Sequence, residues 1–242
     1  MNFIKDFFKK EEDRCQIIVN TYSNGIKYII KNDPLVARSL HSYFNPLTDE
    51  QIQKLEDDVN HVQKAIYVFP KWYKEFLKTT NGLNIFMNSI SLFGEQTPIV
   101  NNEKYGKTEA LLERKNSEWL APYNLRYTNS VKFSEEAQNR WLVIGSYKYD
   151  GTQIVWDFKK EKIIAMYSLP ATTSLKKLKK MQECDYESMI ICEWENFESF
   201  FVTETERLSK IFEQYTDLSQ IKNYDVILEK KTLPNFHKEH ID

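Results

Sequence analysis

Apolar and polar positions follow two rhythms along this chain, and the changes of rhythm mark its elements. Phe3, Ile4, Phe7 and Phe8 recur at three- and four-residue steps, which predicts an N-terminal amphipathic helix whose face Ile18 extends. "NGIKYII" reads as a short strand that Asp33-Pro34 breaks. In "PLTDEQIQKL", Thr48 stands as an N-cap, and Gln51, three residues on, completes a capping box. Leu47 and Ile52 occupy hydrophobic-staple positions, while Asp49 and Glu50 meet the positive end of the helix dipole. Ile52, Leu55, Val59, Val62 and Ile66 continue one apolar stripe from that start.

"FPKWYKEFLKTTNG" repeats the pattern. Phe69, Trp72, Tyr73, Phe76, Leu77 and Thr80 fall at i, i+3, i+4, i+7, i+8 and i+11, so Trp72, Phe76 and Leu77 are expected in the core. Pro70 suits the first helical position, where its missing N–H costs nothing. Asn81-Gly82 suits the end, with Gly82 expected at positive φ as the helix cap. Ile85 and Met87 then alternate with polar positions, as do Ile90 and Leu92, and the shift of parity at Asn88-Ser89 implies a bulge or tight turn. Residues 95–135 carry a weaker pattern in which "TEALLERK" suits a short helix.

The clearest period-two signal is "WLVIGSYKYDGTQIVWDFKKEKIIAMY". It predicts strands at Trp141–Ser146, Gln153–Phe158 and Ile163–Tyr167, joined by a loop containing Asp150-Gly151 and by the polar turn "KKEK". Leu175, Leu178 and Met181 mark a basic helix. "WENFESFFVTETERLSKIFEQY" predicts a long amphipathic helix through Trp194, Phe197, Phe201, Leu208, Ile211 and Tyr215. The fold class that follows is α+β: an antiparallel β-meander flanked by N-terminal and C-terminal amphipathic helices. Residues 1–45 are expected as an N-terminal extension docked on the main body, 46–215 as the α+β domain, and 216–242 as a polar C-terminal tail.

Composition narrows the function. The 242 residues are 41% hydrophobic and 14% aromatic, enough for a sizeable core. A net charge of −2 and a pI of about 6.2 argue against a general nucleic-acid binder. Lys5, Asp6, Lys9 and Lys10 interrupt the first apolar positions, so no secretion signal forms. No run approaches the ~20 apolar residues of a membrane span. Cys15, Cys184 and Cys192 lack CxxC spacing and read as reduced thiols of a cytoplasmic protein.

Catalytic signatures are missing: there is no GxxxxGK[ST], GxGxxG, GxSxG or HExxH. His237 and His240 sit in the polar tail without further ligands, and His41 and His61 stand alone, so neither a metal site nor a cofactor is expected. Glu193 and Glu195 flank Trp194, and neighbouring positions of a helix do not converge for acid–base work. Lys176, Lys177, Lys179 and Lys180 read as a solvated helix face, because no wider basic surface accompanies them. Trp72, Tyr73, Trp141 and Trp156 have the spacing of core residues. Tyr147 and Tyr149, beside Asp150-Gly151, are expected on a loop, where exposed aromatics serve as anchors for a protein partner.

The succession "LTDEQIQKLEDD", "FPKWYKEFLKTTNG", "ISLFG", "WLVIGSYKYDGTQIVWDF" and "WENFESFF" resembles the SUKH superfamily. That group includes SMI/KNR-type cell-wall-assembly regulators and many bacterial immunity proteins. The matching positions are Thr48, Pro70, Tyr73, Phe76, Leu77, Asn81, Gly82, Gly94, Ile144, Gly145, Asp157, Trp194 and Phe197, over about residues 46–205. The chain departs from the pattern in an insertion between the first helix and Phe69, a long 95–140 stretch, and both termini. The resemblance implies a non-enzymatic, protein-binding module. It would be a cytoplasmic immunity protein, or antitoxin, that neutralises a cognate toxin domain of nuclease or deaminase type by stoichiometric binding. No direct nucleic-acid or membrane contact is implied. Tyr147, Tyr149 and Asp150 become the partner-binding residues, and Asp150 suits a basic toxin. One alternative is a regulatory adaptor of the cell-wall-assembly regulator type. Another is an unrecognised hydrolase, which requires a pocket with convergent polar groups.

Overall fold

The computed structural model of the chain describes residues 1–15, 18–21, 27–30, 39–86, 89–95, 133–134, 137, 139–147, 152–167, 180–214 and 228. They fall in two units, residues 1–130 and 131–242. Each combines helices with antiparallel strands, so the fold is α+β.

In the first unit the elements run α1 (Asn2–Cys15), β1 (Ile18–Thr21), β2 (Lys27–Ile30), β3 (Ser39–Tyr43), α2 (Asp49–Gln63), α3 (Lys71–Leu77), β4 (Leu83–Ile85) and β5 (Ile90–Leu92). Consecutive strands pair antiparallel from β1 to β5, and the two helices α2 and α3 form the connection that returns Leu83 opposite Tyr43. Ile18, expected on the face of α1, instead opens β1 opposite Ile30. The capping box forms at α2: Thr48 N–H donates to Gln51 Oε1 at 2.9 Å, and Gln51 N–H donates to Thr48 Oγ1 at 3.3 Å. Ile52, Leu55 and Val59 are buried. The stripe ends sooner than its period predicts. Lys64 takes a left-handed φ of 54°, the chain leaves the helix, and Ile66 turns to solvent instead of the core.

Helix α3 is likewise shorter than its apolar spacing. Pro70 is its N-cap rather than its first residue, Tyr73, Phe76 and Leu77 are buried, and Trp72 is half-buried. Gly82 has the expected positive φ, 84°, but it lies beyond the helix end and is not its cap. Thr80 is responsible. Its Oγ1 lies 2.7 Å from Gly82 O and accepts Phe44 N–H at 3.2 Å, which ties residues 80–82 to the chain that leaves β3. Gly94 then closes on the same turn: a Cβ there would stand 2.3 Å from Asn81 Oδ1 and 2.6 Å from the Asn81 carbonyl carbon. The "NG" and "SLFG" motifs are thus two sides of one contact, tied further by Asn81 Nδ2 donating to Glu95 O at 2.6 Å. Strands β4 and β5 form a hairpin whose turn begins at Phe86, φ 51°, and closes with Ser89 N–H on Phe86 O at 3.0 Å. All positions of both strands are buried, so the alternation in the sequence does not mark an exposed face; Met87 lies outside the described residues.

In the second unit the elements are β6 (Trp141–Tyr147), β7 (Gln153–Asp157), β8 (Lys162–Met166), α4 (Glu183–Glu187), β9 (Ile190–Trp194) and α5 (Phe197–Glu213). The three meander strands lie within a residue of their expected ends, and a bulge at Val143/Gly145 interrupts the β6–β7 register. β9 is an addition to that meander. Trp194 closes this strand opposite Ile163 rather than starting a helix. The helix waits for Asn196, whose Oδ1 accepts Ser199 N–H at 2.8 Å. From there Phe197, Phe200, Phe201, Leu208 and Phe212 are buried, and α5 lies against β8 and β9. The expected helices at "TEALLERK" and at Leu175 and Leu178, and the 216–242 tail apart from Leu228, lie outside the described residues.

Candidate functional site

Among the described residues of the second unit, a dense polar constellation is built where β6 begins and β7 ends. The 141–157 register sets Trp141 opposite Asp157, and Arg140 sits just before that pair. Asp157 is fully buried. It accepts from Arg140 Nη2 at 3.0 Å and Nε at 3.3 Å, from Trp141 Nε1 at 3.1 Å, and from the backbone N–H groups of Lys159 and Lys160 at 2.9 and 3.1 Å. The last two contacts shape the "KKEK" turn. The Arg140 guanidinium stacks 4.2 Å from the Trp141 ring centroid and reaches α4, with Nη1 on Glu183 at 3.0 Å and Nη2 on Glu187 at 2.6 Å. Burial works against the Arg140 charge, but hydrogen bonds to Asp157 and Glu187 outweigh it and hold the pKa above its ordinary value. Glu183 is held below the usual carboxylate range, chiefly by Lys159 Nζ at 2.8 Å, with Arg140 adding to the effect. This arrangement clamps α4 to the meander. It pairs a buried cation with carboxylates and leaves Asp157 facing donors on every side, the chemistry of a tie rather than of a general base.

The second constellation corrects an expectation. Tyr147 is 4% exposed, and its hydroxyl donates to Glu204 Oε2 at 2.9 Å, which Arg207 Nη2 also meets at 2.8 Å. Strand pairing carries on to the end of β6, with Tyr147 N–H on Thr152 O at 2.8 Å, and this turns the ring inward to α5. It is an interior residue, not an exposed anchor. Burial, then the Glu204 charge, push its pKa well up. The Cys192 thiol is pushed up to about 12, first by burial and then by Glu204. Tyr149 and Asp150 lie outside the described residues.

The remaining sequence candidates are placed as follows. Glu193 ends up on a strand, not a helix, and binds Lys160 at 2.6 Å, while Glu195 binds Lys162 at 2.8 Å, both at the surface. His41 is buried. Phe86 N–H donates to its Nδ1 at 3.2 Å, so its proton is on Nε2, which donates to Glu11 Oε2 at 3.1 Å and ties α1 to the sheet. His61 is exposed, as is Lys180. Lys176, Lys177, Lys179, His237 and His240 lie outside the described residues. Trp141 and Trp156 are buried. Among the described residues no group of three or more His, Cys, Asp or Glu is placed to hold a metal ion, and no helix is long and apolar enough to cross a membrane.

Several charged residues that no sequence motif singles out are drawn inward: Glu11, Glu56, Arg140 and Glu204. Three of them carried a signal. Glu11 stands four residues from Phe7, Glu56 four from Ile52, and Glu204 four from both Phe200 and Leu208, so each falls on an apolar stripe. Glu56 accepts Phe69 N–H and the Lys74 ammonium, the latter at 3.0 Å. With Asn60 it fixes the connection between α2 and α3. Asn60 Nδ2 donates to Tyr67 O at 2.8 Å, Tyr67 N–H donates to Asn60 Oδ1 at 2.6 Å, and Ala65 N–H meets Asn60 O at 3.1 Å. Ala65, Tyr67 and Phe69 are buried along this segment, whereas Ile66 is 86% and Val68 67% exposed.

Comparison with known proteins gives one match. The family described as SMI1 / KNR4 family (SUKH-1) matches residues 46–203. No curated protein and no solved structure matches the chain.

Proposed function

The chain belongs to the SMI1 / KNR4 family (SUKH-1), and from that premise we propose that it is an immunity protein of the cytoplasm. In this reading residues 46–215 form a non-enzymatic module, with 1–45 docked on it and 216–242 as a tail. The module binds a cognate toxin domain of nuclease or deaminase type one-to-one and holds it inactive. Family membership is the observation that carries the proposal. The fate of the charged residues supports it: Arg140, Asp157 and Glu204 are engaged inside the fold, which stiffens a scaffold for binding. Tyr149 and Asp150 enter this reading as contacts from the sequence alone.

A protein that works by occupancy must bind tightly, since any unbound toxin keeps turning over. Nanomolar affinity is about −12 kcal/mol, which an interface of ~1,600 Å² with a few buried anchors supplies. The test is co-expression with a nuclease- or deaminase-type toxin domain, where a neighbouring gene encodes one. Rescue is expected to scale with the amount of this protein and to saturate at equal stoichiometry. Rescue by trace amounts would indicate an enzyme. Failure to bind that domain would turn the assignment toward a regulatory adaptor.

A further inference from the structure

Among the described residues the large apolar side chains that face solvent are Ile66, Val68 and Val202, and the first two share one short segment. That segment is held firmly. Asn60 takes both backbone polar groups of Tyr67, Glu56 takes Phe69 N–H, and the side chains of Ala65, Tyr67 and Phe69 are buried. Alternation in an extended chain therefore aims Ile66 and Val68 outward together. Both are β-branched and stiff at χ1, and their backbone is already ordered, so a partner that covers them pays little conformational entropy. Lys64 precedes the pair and Lys71 follows it, both exposed.

We propose that Ile66 and Val68 are the anchor pair by which this protein holds its partner, and that the partner is a protein presenting an apolar pocket bordered by carboxylates. The assignment rests on the binding-module reading and names a surface that takes part in the binding. Charge selects the occupant. A second copy of this chain laid face to face on the segment would bring its two exposed lysines against Lys64 and Lys71, and like charges brought together across an interface are destabilising. Carboxylates on a different protein complement both lysines and speed the encounter. The segment also lies in the insertion where this chain departs from the family pattern, and such connections carry specificity.

The experiment uses the full chain, with calorimetry and stopped-flow against the same purified toxin domain used for co-expression, and a parallel titration with bis-ANS, an apolar dianion. Ile66→Ser/Val68→Ser is expected to keep the wild-type melting temperature while weakening toxin-domain binding about 100-fold. Lys64→Glu/Lys71→Glu should slow association about 10-fold and flatten its salt dependence. Val202→Ser should change neither. Binding that survives Ile66→Ser/Val68→Ser overturns this surface and leaves the binding-module reading standing. If the toxin domain does not bind at all, the immunity reading fails, and bis-ANS decides the surface by itself. Fluorescence lost in Ile66→Ser/Val68→Ser and reduced in Lys64→Glu/Lys71→Glu supports it, and fluorescence unchanged in both overturns it.

Discussion

Replacing Asp157 by Asn removes one charge from the buried clamp while nearly keeping its shape. The carboxylate accepts from Arg140, Trp141 and the backbone of Lys159 and Lys160. An Asn Oδ1 can still serve the two backbone N–H groups. Its Nδ2, however, then points a donor at Trp141 Nε1 and at a guanidinium whose side chain is 4% exposed. Breaking a buried pair from one side costs about 3–5 kcal/mol. Glu183 and Glu187 still flank Arg140, but both are partly solvated, so the low end, about 3 kcal/mol, is expected. That is a large share of the ~5–15 kcal/mol that holds a typical domain together. Urea unfolding, followed by tryptophan fluorescence and circular dichroism, measures it. The double variant Arg140→Met/Asp157→Asn should cost less than the two single changes added together, by about 1–3 kcal/mol, because each single change strands the other residue. A loss below about 1 kcal/mol for Asp157→Asn, or strict additivity in the cycle, would refute the clamp.

Gly82→Ala forces a left-handed φ on an L-residue and should cost about 1–2 kcal/mol, and Gly94→Ala, whose Cβ meets backbone atoms of Asn81 and Gly82, about 1–3 kcal/mol; a wild-type melting temperature in Gly94→Ala would sink the motif contact. Glu183 is depressed below its ordinary 4.5 in the folded chain, so its contribution is present at neutral pH and fades as pH falls through and below that value. Glu183→Gln should therefore be less stable than wild type at roughly pH 7, the gap should narrow as the pH falls below 4.5, and a gap that widens on acidification contradicts the assignment. Iodoacetamide, read by mass spectrometry in a Cys15→Ser background, should label exposed Cys184 well before Cys192, whose thiol burial keeps protonated; faster labelling of Cys192 would show that its environment is open.

What the sequence determined by itself is what a few neighbouring residues decide among themselves. The capping box joins Thr48 to Gln51, the meander turns lie within its own strands, and positive φ at Gly82 is local chemistry. The family pattern is legible for the same reason, since it is a succession of such local motifs. Tertiary structure decided the rest, because the partners come from far along the chain. Arg140 is claimed by Glu183 and Glu187, 43 and 47 residues away, and Tyr147 by Glu204, 57 away. Strand pairing to the end of β6 and the distant Glu204 turned a tyrosine expected at the surface into an interior one. Periodicity likewise placed Ile66 on the buried stripe of α2, but a left-handed Lys64 ended the helix, and Asn60 and Glu56 held the chain that follows. Hydrophobic spacing records which side chains can share a face; it does not record where the backbone leaves the helix, and that departure put Ile66 and Val68 in solvent.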